Sequence, residues 1–198
     1  MSMLGMFQKL IGHIAGIIDI YKKEALLMRL FHVSEESNIE IFNPRKPERD
    51  DLDKSVGLVW AITEDCLPNF LTPRNCPRVT YHIGKNTVTS DIEKYISSSS
   101  SSHVIVIENS WFDIMKNTTL YLYEFDPEHF ELQDEVAGYY VSKIPQRPKS
   151  KLIVNDLFHE LFSRNVELRI VDNLWDICNK IKGSSFHWSM CRMGFASP

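Results

Sequence analysis

The sequence predicts an α+β domain with a mainly antiparallel or mixed sheet, preceded by an N-terminal amphipathic helix. Short segments rich in Val, Ile, Tyr and Trp outnumber the helical segments, which favours a sheet as the main element. The strand-like and helical segments do not alternate regularly, which argues against a doubly wound parallel sheet. Apolar residues recur at helical spacing along the first 27 residues, which predicts the leading helix.

The leading segment, Met3 to Leu27, is predicted to form one helix with an apolar face. That face consists of Leu4, Phe7, Leu10, Ile11, Ile14, Ile17, Ile18 and Tyr21. No run reaches the roughly 20 apolar residues that span a bilayer, so we predict no membrane span, and no signal-peptide pattern is convincing. The helix either packs on the body or a partner through residues 4–21, or lies upstream of a domain that starts at Met28. We favour the second interpretation, which divides the chain into a helical extension, 1–27, and a single α+β domain, 28–198.

The remaining strands and helices follow from local composition. The predicted strands are Arg29–Ser34, Val56–Ile62, Pro77–Ile83, His103–Glu108, Thr118–Phe125, Gly138–Ser142, Lys151–Val154 and Val166–Val171. The predicted helices are Ser110–Lys116, Asn155–Arg164 with Asn155 as N-cap, and Leu174–Ile181. A further helix, Thr63–Leu71, can start from Thr63 as N-cap, but Pro68 must disturb it unless the turn is short. Polar composition predicts surface loops at Asn43–Lys54 and at the serine run Ser97–Ser102, and the segment after Gly183 is predicted to be an added strand or arm.

Bulk composition excludes several classes of protein. The 198 residues are 43% hydrophobic and 24% charged, which is ordinary for a globular protein, and the length suffices for one domain with a full core. The net charge of −4 gives no electrostatic reason to expect general nucleic-acid binding. Glycine-rich phosphate loops, a nucleophile elbow and a His-Glu-x-x-His motif are all missing from the sequence, which weakens kinase, GTPase, dehydrogenase and serine-esterase interpretations.

The four cysteines, Cys66, Cys76, Cys178 and Cys191, lack the close spacing of a zinc site. We therefore expect no structural metal. Free buried thiols, and with them a reducing, cytoplasmic location, are the preferred interpretation over two disulfides.

His32 is the first candidate for chemistry. In a strand, Leu30 and His32 share one face, so a histidine occupies a position where an aliphatic residue would pack better. It is either a core histidine with both ring nitrogens hydrogen-bonded or a donor that fixes a ligand hydroxyl in a cleft.

Glu124 and Glu135 are the candidate acids. Glu124 ends a predicted strand and Glu135 precedes the next one. A carboxylate beside a sugar carbon can stabilise oxocarbenium-like charge during N-glycosidic cleavage. The alternative for both is a solvated surface group.

Aromatic and basic residues complete the candidate set. Trp60, Tyr81 and Tyr140 lie in predicted strands, where their rings could stack on a heterocycle or simply pack. The segment from Leu71 to Val79 contains two X-Pro bonds that would hold Arg74 and Arg78 on a constrained loop. A guanidinium held in this way suits phosphate or carboxylate, although a salt bridge to Glu64 or Asp65 is the competing interpretation.

Six blocks of the sequence resemble an uncharacterised bacterial domain family. They are Leu30-Phe-His-Val-Ser-Glu-Glu36, Val59-Trp-Ala-Ile62, Pro73-Arg-Asn-Cys-Pro-Arg-Val79, Leu120-Tyr-Leu-Tyr-Glu124, Gly138-Tyr-Tyr-Val-Ser142 and Val166-Glu-Leu-Arg169 with Leu174-Trp175. The resemblance covers about Met28 to Met193. It supports Met28 as the domain start and supplies no activity.

A more distant resemblance is to the ADP-ribosyltransferase-like superfamily. His32 and Ser34 are similar to its first-strand motif, and Trp60, Ala61 and Thr63 are similar to its second. The resemblance implies an ADP-ribosyltransferase-like fold that binds NAD or a related nucleotide. His32 would hold a ribose hydroxyl, Tyr81 or Tyr140 would stack on the base, Arg74 or Arg78 would meet phosphate, and Glu124 or Glu135 would steady the positive sugar.

Two other functions remain open from the sequence. One is a non-catalytic module that binds a small ligand or a protein, since no Glu-x-Glu pair is found near the candidate acids. The other is a toxin or antitoxin partner that uses the amphipathic segment Met3–Leu27.

Overall fold

Residues 28–47 and 52–198 are described by a computed structural model of the chain. The predicted helix over 3–27 and the proposed contact through residues 4–21 lie outside the described residues. So does the middle of the predicted loop Asn43–Lys54.

The described residues contain ten strands and four α-helices. The strands are β1 (Leu30–Ser34), β2 (Val59–Thr63), β3 (Arg78–His82), β4 (His103–Glu108), β5 (Leu120–Phe125), β6 (Glu131–Asp134), β7 (Tyr139–Ser142), β8 (Ser150–Val154), β9 (Val166–Val171) and β10 (His187–Cys191). The helices are α1 (Thr89–Tyr95), α2 (Phe112–Asn117), α3 (Leu157–Ser163) and α4 (Trp175–Lys182). A short 3-10 helix, Leu67–Phe70, follows β2.

The strands form two sheets. The larger has the order β6-β7-β2-β1-β5-β8, and all of its pairings are antiparallel. The smaller has the order β10-β3-β4-β9, with β4 and β9 parallel and the other pairs antiparallel. The prediction of an α+β fold with a mainly antiparallel or mixed sheet is therefore confirmed at the level of fold class.

One apolar core joins the facing sides of the two sheets. Phe31, Leu120 and Leu122 of the larger sheet belong to the same buried cluster as Ile105 and Ile107 of β4. The face of β3 that carries Arg78 and His82 is on this side as well, because these residues pair directly with Ile107 and His103. Polar groups therefore mark the two ends of the inter-sheet core, and the cavities described below lie at those ends.

The eight predicted strands all form, with ends that differ by up to three residues. β6 and α1 were not predicted from the sequence, and the segment after Gly183 forms β10. The predicted helix Thr63–Leu71 is wrong over most of its length. β2 extends to Thr63, and Pro68 is accommodated near the start of the 3-10 helix, where the missing N–H has no cost. The N-cap of α3 is Asp156, whose carboxylate accepts from the His159 N–H, and not Asn155.

Candidate functional site

The strands β1 and β2 diverge soon after they pair. Their register consists of Leu30 opposite Thr63 and Phe31 opposite Ile62, whereas β5 pairs with β1 along its whole length from Leu30 to Ser34. The second half of β1 is thus held from one side by β5 and separated from β2 on the other. This separation opens a cleft in the larger sheet beside His32, Val33 and Ser34.

The His32 side chain bridges the start of this cleft. Its Nδ1 lies 2.9 Å from the Trp60 carbonyl oxygen of β2. Because a carbonyl only accepts, Nδ1 carries the hydrogen and the other ring nitrogen, Nε2, is left as an acceptor in the neutral ring. Burial lowers the pKa of His32, and the hydrogen bond to Trp60 opposes that shift. The ring packs against Phe42, with 4.8 Å between ring centroids.

The cleft continues into a cavity of about 360 Å³, which we call the arginine cavity. Its charged lining consists of four arginines and two glutamates: Arg45, Arg74, Arg78, Arg192, Glu35 and Glu36. Its polar lining includes His32, Ser34, Asn43 and Thr72, and its apolar walls include Phe42, Trp60 and Phe70. The structure therefore brings together five residues that the sequence analysis named: His32, Ser34, Trp60, Arg74 and Arg78.

Arg78 is the most unusual residue of the arginine cavity. It is only 5% exposed, yet its guanidinium makes no ion pair with any described carboxylate. Its Nε donates to the Asn69 carbonyl at 2.6 Å, its Nη1 donates to the Cys76 carbonyl at 2.9 Å, and it lies over the Phe70 ring. Neutral carbonyls satisfy two of the five N–H groups but do not cancel the charge, and a buried uncompensated charge is costly.

The predicted salt bridge from Arg78 or Arg74 to Glu64 or Asp65 does not form. Glu64 pairs instead with Arg29 and, at 4.0 Å, with Arg164. The side chains of Arg45, Arg74 and Arg192 also have no ion pair within the described ranges. In the part of the chain that the structure describes, no carboxylate hydrogen-bonds to these guanidinium groups, so the positive charge of the arginine cavity is not balanced there.

Thr72 adds a second unsatisfied group. Its Oγ1 is buried and has no hydrogen-bond partner in residues 28–47 and 52–198, and the residue as a whole is 4% exposed. Buried hydroxyls normally have a partner, so Thr72 Oγ1 is available to a polar group that enters the cavity.

Three hydrogen bonds hold the loops around the cavity. The buried Tyr123 hydroxyl donates to the Glu36 carbonyl at 2.6 Å and accepts from the Ile39 N–H at 3.1 Å, which fixes the chain that leaves β1. The Glu35 carboxylate accepts from the Arg74 backbone N–H at 2.7 Å. Arg74 and the glutamates therefore face the same opening on mutually attached loops.

The structure does not bring Glu124 to His32. Phe31 pairs with Glu124 and His32 pairs with Tyr123, so Glu124 projects from the opposite face of the sheet. There its carboxylate accepts from Arg29 at 2.9 and 3.1 Å, from Ser150 at 3.0 Å, and pairs with Lys149 at 3.2 Å. The Arg29 hydrogen bonds lower the pKa of Glu124 to about 2, which is the behaviour of a structural ion pair.

Glu135, Tyr140 and Tyr81 are also separated from the arginine cavity. Glu135 is exposed between β6 and β7, and with Tyr140 it lines a second cavity of about 820 Å³. Tyr81 is fully buried, and its hydroxyl donates to the Tyr95 carbonyl at 2.7 Å. Its ring packs against Phe186, so this position does not suit the predicted stacking on a base.

The second cavity, which we call the histidine cavity, contains His82, His103 and His187. His82 lies between the other two rings, stacked on His103 at 4.9 Å and edge-on to His187 at 5.3 Å. Burial lowers the pKa of His82 and lowers the pKa of His103 to about 3. The described residues include no group of three or more His, Cys, Asp or Glu side chains with the geometry of a metal site.

The residues of the arginine cavity that were not identified as site residues from the sequence include Glu36, Arg45, Thr72 and Arg192. Arg45 lies in a proline-bearing loop, Thr72 precedes Pro73, and Arg192 follows β10 with a left-handed backbone, φ 54°. A left-handed conformation in a residue other than glycine is uncommon and often occurs at functional sites. Of these residues, only Thr72 lies in a segment with a recognisable sequence signal, since Leu71–Val79 contains two prolines beside two arginines.

The sequence of the chain matches the profile of a family of unknown function, DUF6886, over residues 31–196. The chain belongs to this family. The match covers all ten strands except the first residue of β1, and it includes every described residue that lines the arginine cavity. The predicted membership of an uncharacterised domain family is confirmed. No curated protein and no solved structure matches the chain.

Two further observations bear on the sequence predictions. All four cysteines are free, and all but the partly buried Cys191 are buried. Among the described residues, helices are too short or too polar to cross a membrane.

Proposed function

We propose that the protein binds a phosphate-bearing ligand of the nucleotide class in the arginine cavity, with NAD as the first candidate. The observation that carries this proposal is Arg78, a buried guanidinium on the cavity wall that has no carboxylate partner among residues 28–47 and 52–198. A phosphate would supply the missing negative charge. It would also accept the guanidinium N–H groups that the two carbonyls leave free.

The rest of the lining suits the other parts of such a ligand. His32 offers Nε2 as an acceptor for a ribose hydroxyl, and Thr72 offers an unpartnered hydroxyl nearby. Phe42, Trp60 and Phe70 supply apolar walls for a sugar or a heterocycle. A volume of about 360 Å³ lies at the small end of ligand pockets and suits a mononucleotide or one half of a dinucleotide.

For catalysis, we propose ADP-ribosyl transfer, in which an acceptor attacks the ribose carbon as neutral nicotinamide leaves. Positive charge then develops on the sugar, and a carboxylate close to it lowers the barrier. Glu124 and Glu135 do not line the arginine cavity, whereas Glu36 does, and its negative charge acts on His32. Glu36 therefore replaces both as the proposed acid.

The second candidate is binding without catalysis. It is favoured by the position of Glu124 and Glu135, since neither of the originally predicted acids faces His32. The toxin or antitoxin interpretation depends on residues 3–27, which lie outside the described residues, and it stays a prediction.

The binding proposal is tested by thermal unfolding with NAD, ADP-ribose, pyrophosphate and acetate. A ligand that binds only the folded state at 100 times its dissociation constant stabilises that state by about 2.7 kcal/mol. We expect a rise in Tm with the phosphate ligands and none with acetate. Arg78→Met should remove the rise, whereas Arg147→Met, a change at an exposed arginine outside both cavities, should keep it.

The catalytic proposal has a separate measurement, the release of nicotinamide from NAD followed by chromatography. Release that is lost in Glu36→Gln and kept in Glu135→Gln would support transfer chemistry. NAD binding without release would support the non-catalytic candidate, and the absence of any response to millimolar phosphate ligands would contradict both.

A further inference from the structure

A hydrogen-bond chain through three buried residues connects the two cavities. His103 Nε2, in the histidine cavity, lies 2.7 Å from the Asn69 side-chain oxygen. The Asn69 backbone carbonyl accepts from Arg78 Nε, in the arginine cavity, at 2.6 Å. His103, Asn69 and Arg78 are 7%, 2% and 5% exposed, so water does not compete effectively for these bonds.

The direction of the first bond is fixed by chemistry. An amide oxygen only accepts, so Nε2 of His103 carries the hydrogen and donates it. Burial lowers the pKa of His103 to about 3, which keeps the ring neutral at ordinary pH, with its single hydrogen on Nε2. His103 is itself held by its stacking on His82.

Asn69 needs this anchor because its helix is short. The 3-10 helix Leu67–Phe70 has four residues, and its N-cap residue, Cys66, makes no side-chain capping bond. The carbonyl of Asn69 leaves this turn toward Arg78, so any rotation of the turn also moves the acceptor of Arg78 Nε. With Nε and one Nη1 hydrogen held by carbonyls, the three remaining N–H groups of Arg78 are fixed in direction.

We infer that Asn69 and His103 are positioning residues of the arginine cavity, which hold the buried Arg78 guanidinium in the orientation that receives a phosphate. This inference rests on the proposed binding of phosphate ligands. Neither residue lines the arginine cavity, so neither is assigned a contact with the ligand. Both residues affect ligand binding through Arg78. A substitution of Asn69 keeps its backbone carbonyl, which accepts from Arg78, and removes the side-chain oxygen that binds His103.

The test measures pyrophosphate affinity by calorimetry in the full-length protein. Asn69→Ala and His103→Leu should each weaken binding by about 10-fold, the cost expected for a misplaced charged contact. His103→Gln keeps an N–H donor and should restore binding to within about 3-fold of the wild type, as a conservative rescue. In an Arg78→Met background, Asn69→Ala should cause no further loss, because the residue acts through Arg78.

A double variant serves as the control for loss of folding. Asn69→Ala leaves the buried His103 N–H without its acceptor. The double change Asn69→Ala with His103→Leu removes donor and acceptor together and should have a higher free energy of unfolding than Asn69→Ala alone. The double variant should still bind pyrophosphate about 10-fold more weakly than the wild type. Wild-type affinity in a folded double variant would overturn the inference.

A spectroscopic measurement separates positioning from general destabilisation. In ¹⁵N-labelled protein, the Arg78 Nε–H resonance should be slow to exchange with water in the wild type and in His103→Gln, and fast to exchange in Asn69→Ala. If wild-type protein and Arg78→Met show the same lack of pyrophosphate binding, the proposed function fails. If wild-type protein binds, Arg78→Met does not, and Asn69→Ala binds normally with a slow resonance, only the positioning inference fails.

Discussion

Two arginines, Arg29 just before β1 and Arg78 at the start of β3, have opposite surroundings. The Arg29 side chain is 47% exposed, and it contacts both Glu124 oxygens at 2.9 and 3.1 Å and Glu64 at 2.8 Å. Arg78 is 5% exposed and has only neutral acceptors among the described residues. The exposed arginine therefore has carboxylate partners, and the nearly buried arginine has none within residues 28–47 and 52–198.

The difference distinguishes a structural charge from a functional one. A nearly buried carboxylate whose hydrogen bonds are made within the chain, such as Glu124, contributes to the free energy of unfolding of the free protein. A charge that is buried and unmatched lowers the stability of the free protein and is compensated when a ligand of opposite sign binds. If the arginine cavity binds an anion as proposed, Glu124 and Arg29 stabilise the free protein and Arg78 binds the ligand, so substitutions of Glu124 and Arg78 should have opposite effects.

The largest expected effect is that of Arg78→Met. Pyrophosphate affinity should fall by about 100-fold, because a buried charged contact is lost. The free energy of unfolding without ligand should remain equal or rise by about 1–3 kcal/mol, since an unpaired buried charge is replaced by an apolar chain of similar length. Urea unfolding and calorimetry measure the two quantities. A variant that is strongly destabilised but binds as the wild type does would reverse the assignment of Arg78.

Glu124→Gln should show the opposite combination. The Glu124 side chain is 12% exposed, and loss of its charge weakens bonds to Arg29, Lys149 and Ser150, so we expect a destabilisation of about 1–3 kcal/mol in urea unfolding. Pyrophosphate affinity should stay within about twofold of the wild type, because Glu124 lies on the other face of the sheet.

The pH dependence provides an independent check on Glu124. Its pKa of about 2 lies below the ordinary 4.5, so its stabilising effect is complete above pH 4.5 and is lost as the pH falls toward 2. Glu124→Gln should reduce the acid sensitivity of stability in that window only. An unchanged acid profile would argue that Glu124 is not the stabilising partner of Arg29.

The third prediction concerns His103 in the histidine cavity, at pH values above the range in which Glu124 titrates. The pKa of His103 falls from 6.5 to about 3 on folding, so between these values the unfolded state binds more protons. The free energy of unfolding should therefore decrease as the pH falls below 6.5, and this histidine contributes about 1.4 kcal/mol per pH unit to the decrease. His103→Gln should flatten the wild-type slope between pH 6 and 5, measured by urea unfolding. A slope identical to that of the wild type would mean that His103 is not buried in neutral form.

The smallest effect is expected for Arg74→Gln. Arg74 is exposed, and its link to Glu35 uses the backbone N–H, which the substitution retains. Pyrophosphate affinity should fall by about 2–5-fold at low salt and by less at 1 M salt, where the Debye length is about 3 Å. A salt-independent loss as large as that of Arg78→Met would mean that Arg74 is as deeply involved as Arg78.

Strand prediction succeeded where local composition decided the outcome. β4, with its uninterrupted His103–Glu108 run, and β9 were predicted with correct ends, because β-branched residues bounded by polar stretches suit a buried strand. β6 was not predicted, because Glu131, Leu132 and Gln133 are exposed on an edge strand and carry no alternating pattern. Its pairing with β7 stabilises the strand, and that partner is not visible in the local sequence.

The candidate site was predicted in part for a similar reason. The alternation of β1 correctly placed Leu30 and His32 on one face, but nothing in the local sequence of β5 indicated that Glu124 would pair with Phe31 and so face away. Register is a property of two strands together, and a shift by one residue reverses every side chain. Arg192 could not be assigned either, since β10 brings it to Arg78 from more than one hundred residues away.

The sequence by itself determined the membership of the family, the eight predicted strands, and the presence of His32, Arg74 and Arg78 on constrained segments. These are properties of neighbouring residues: periodicity, β-branching and the stiffness that proline gives the backbone. The tertiary structure decided which of these groups meet. Only the early divergence of β1 from β2 opens the cleft at His32, and the proposal that Arg78 binds an anion depends on its burial without a carboxylate partner among the described residues.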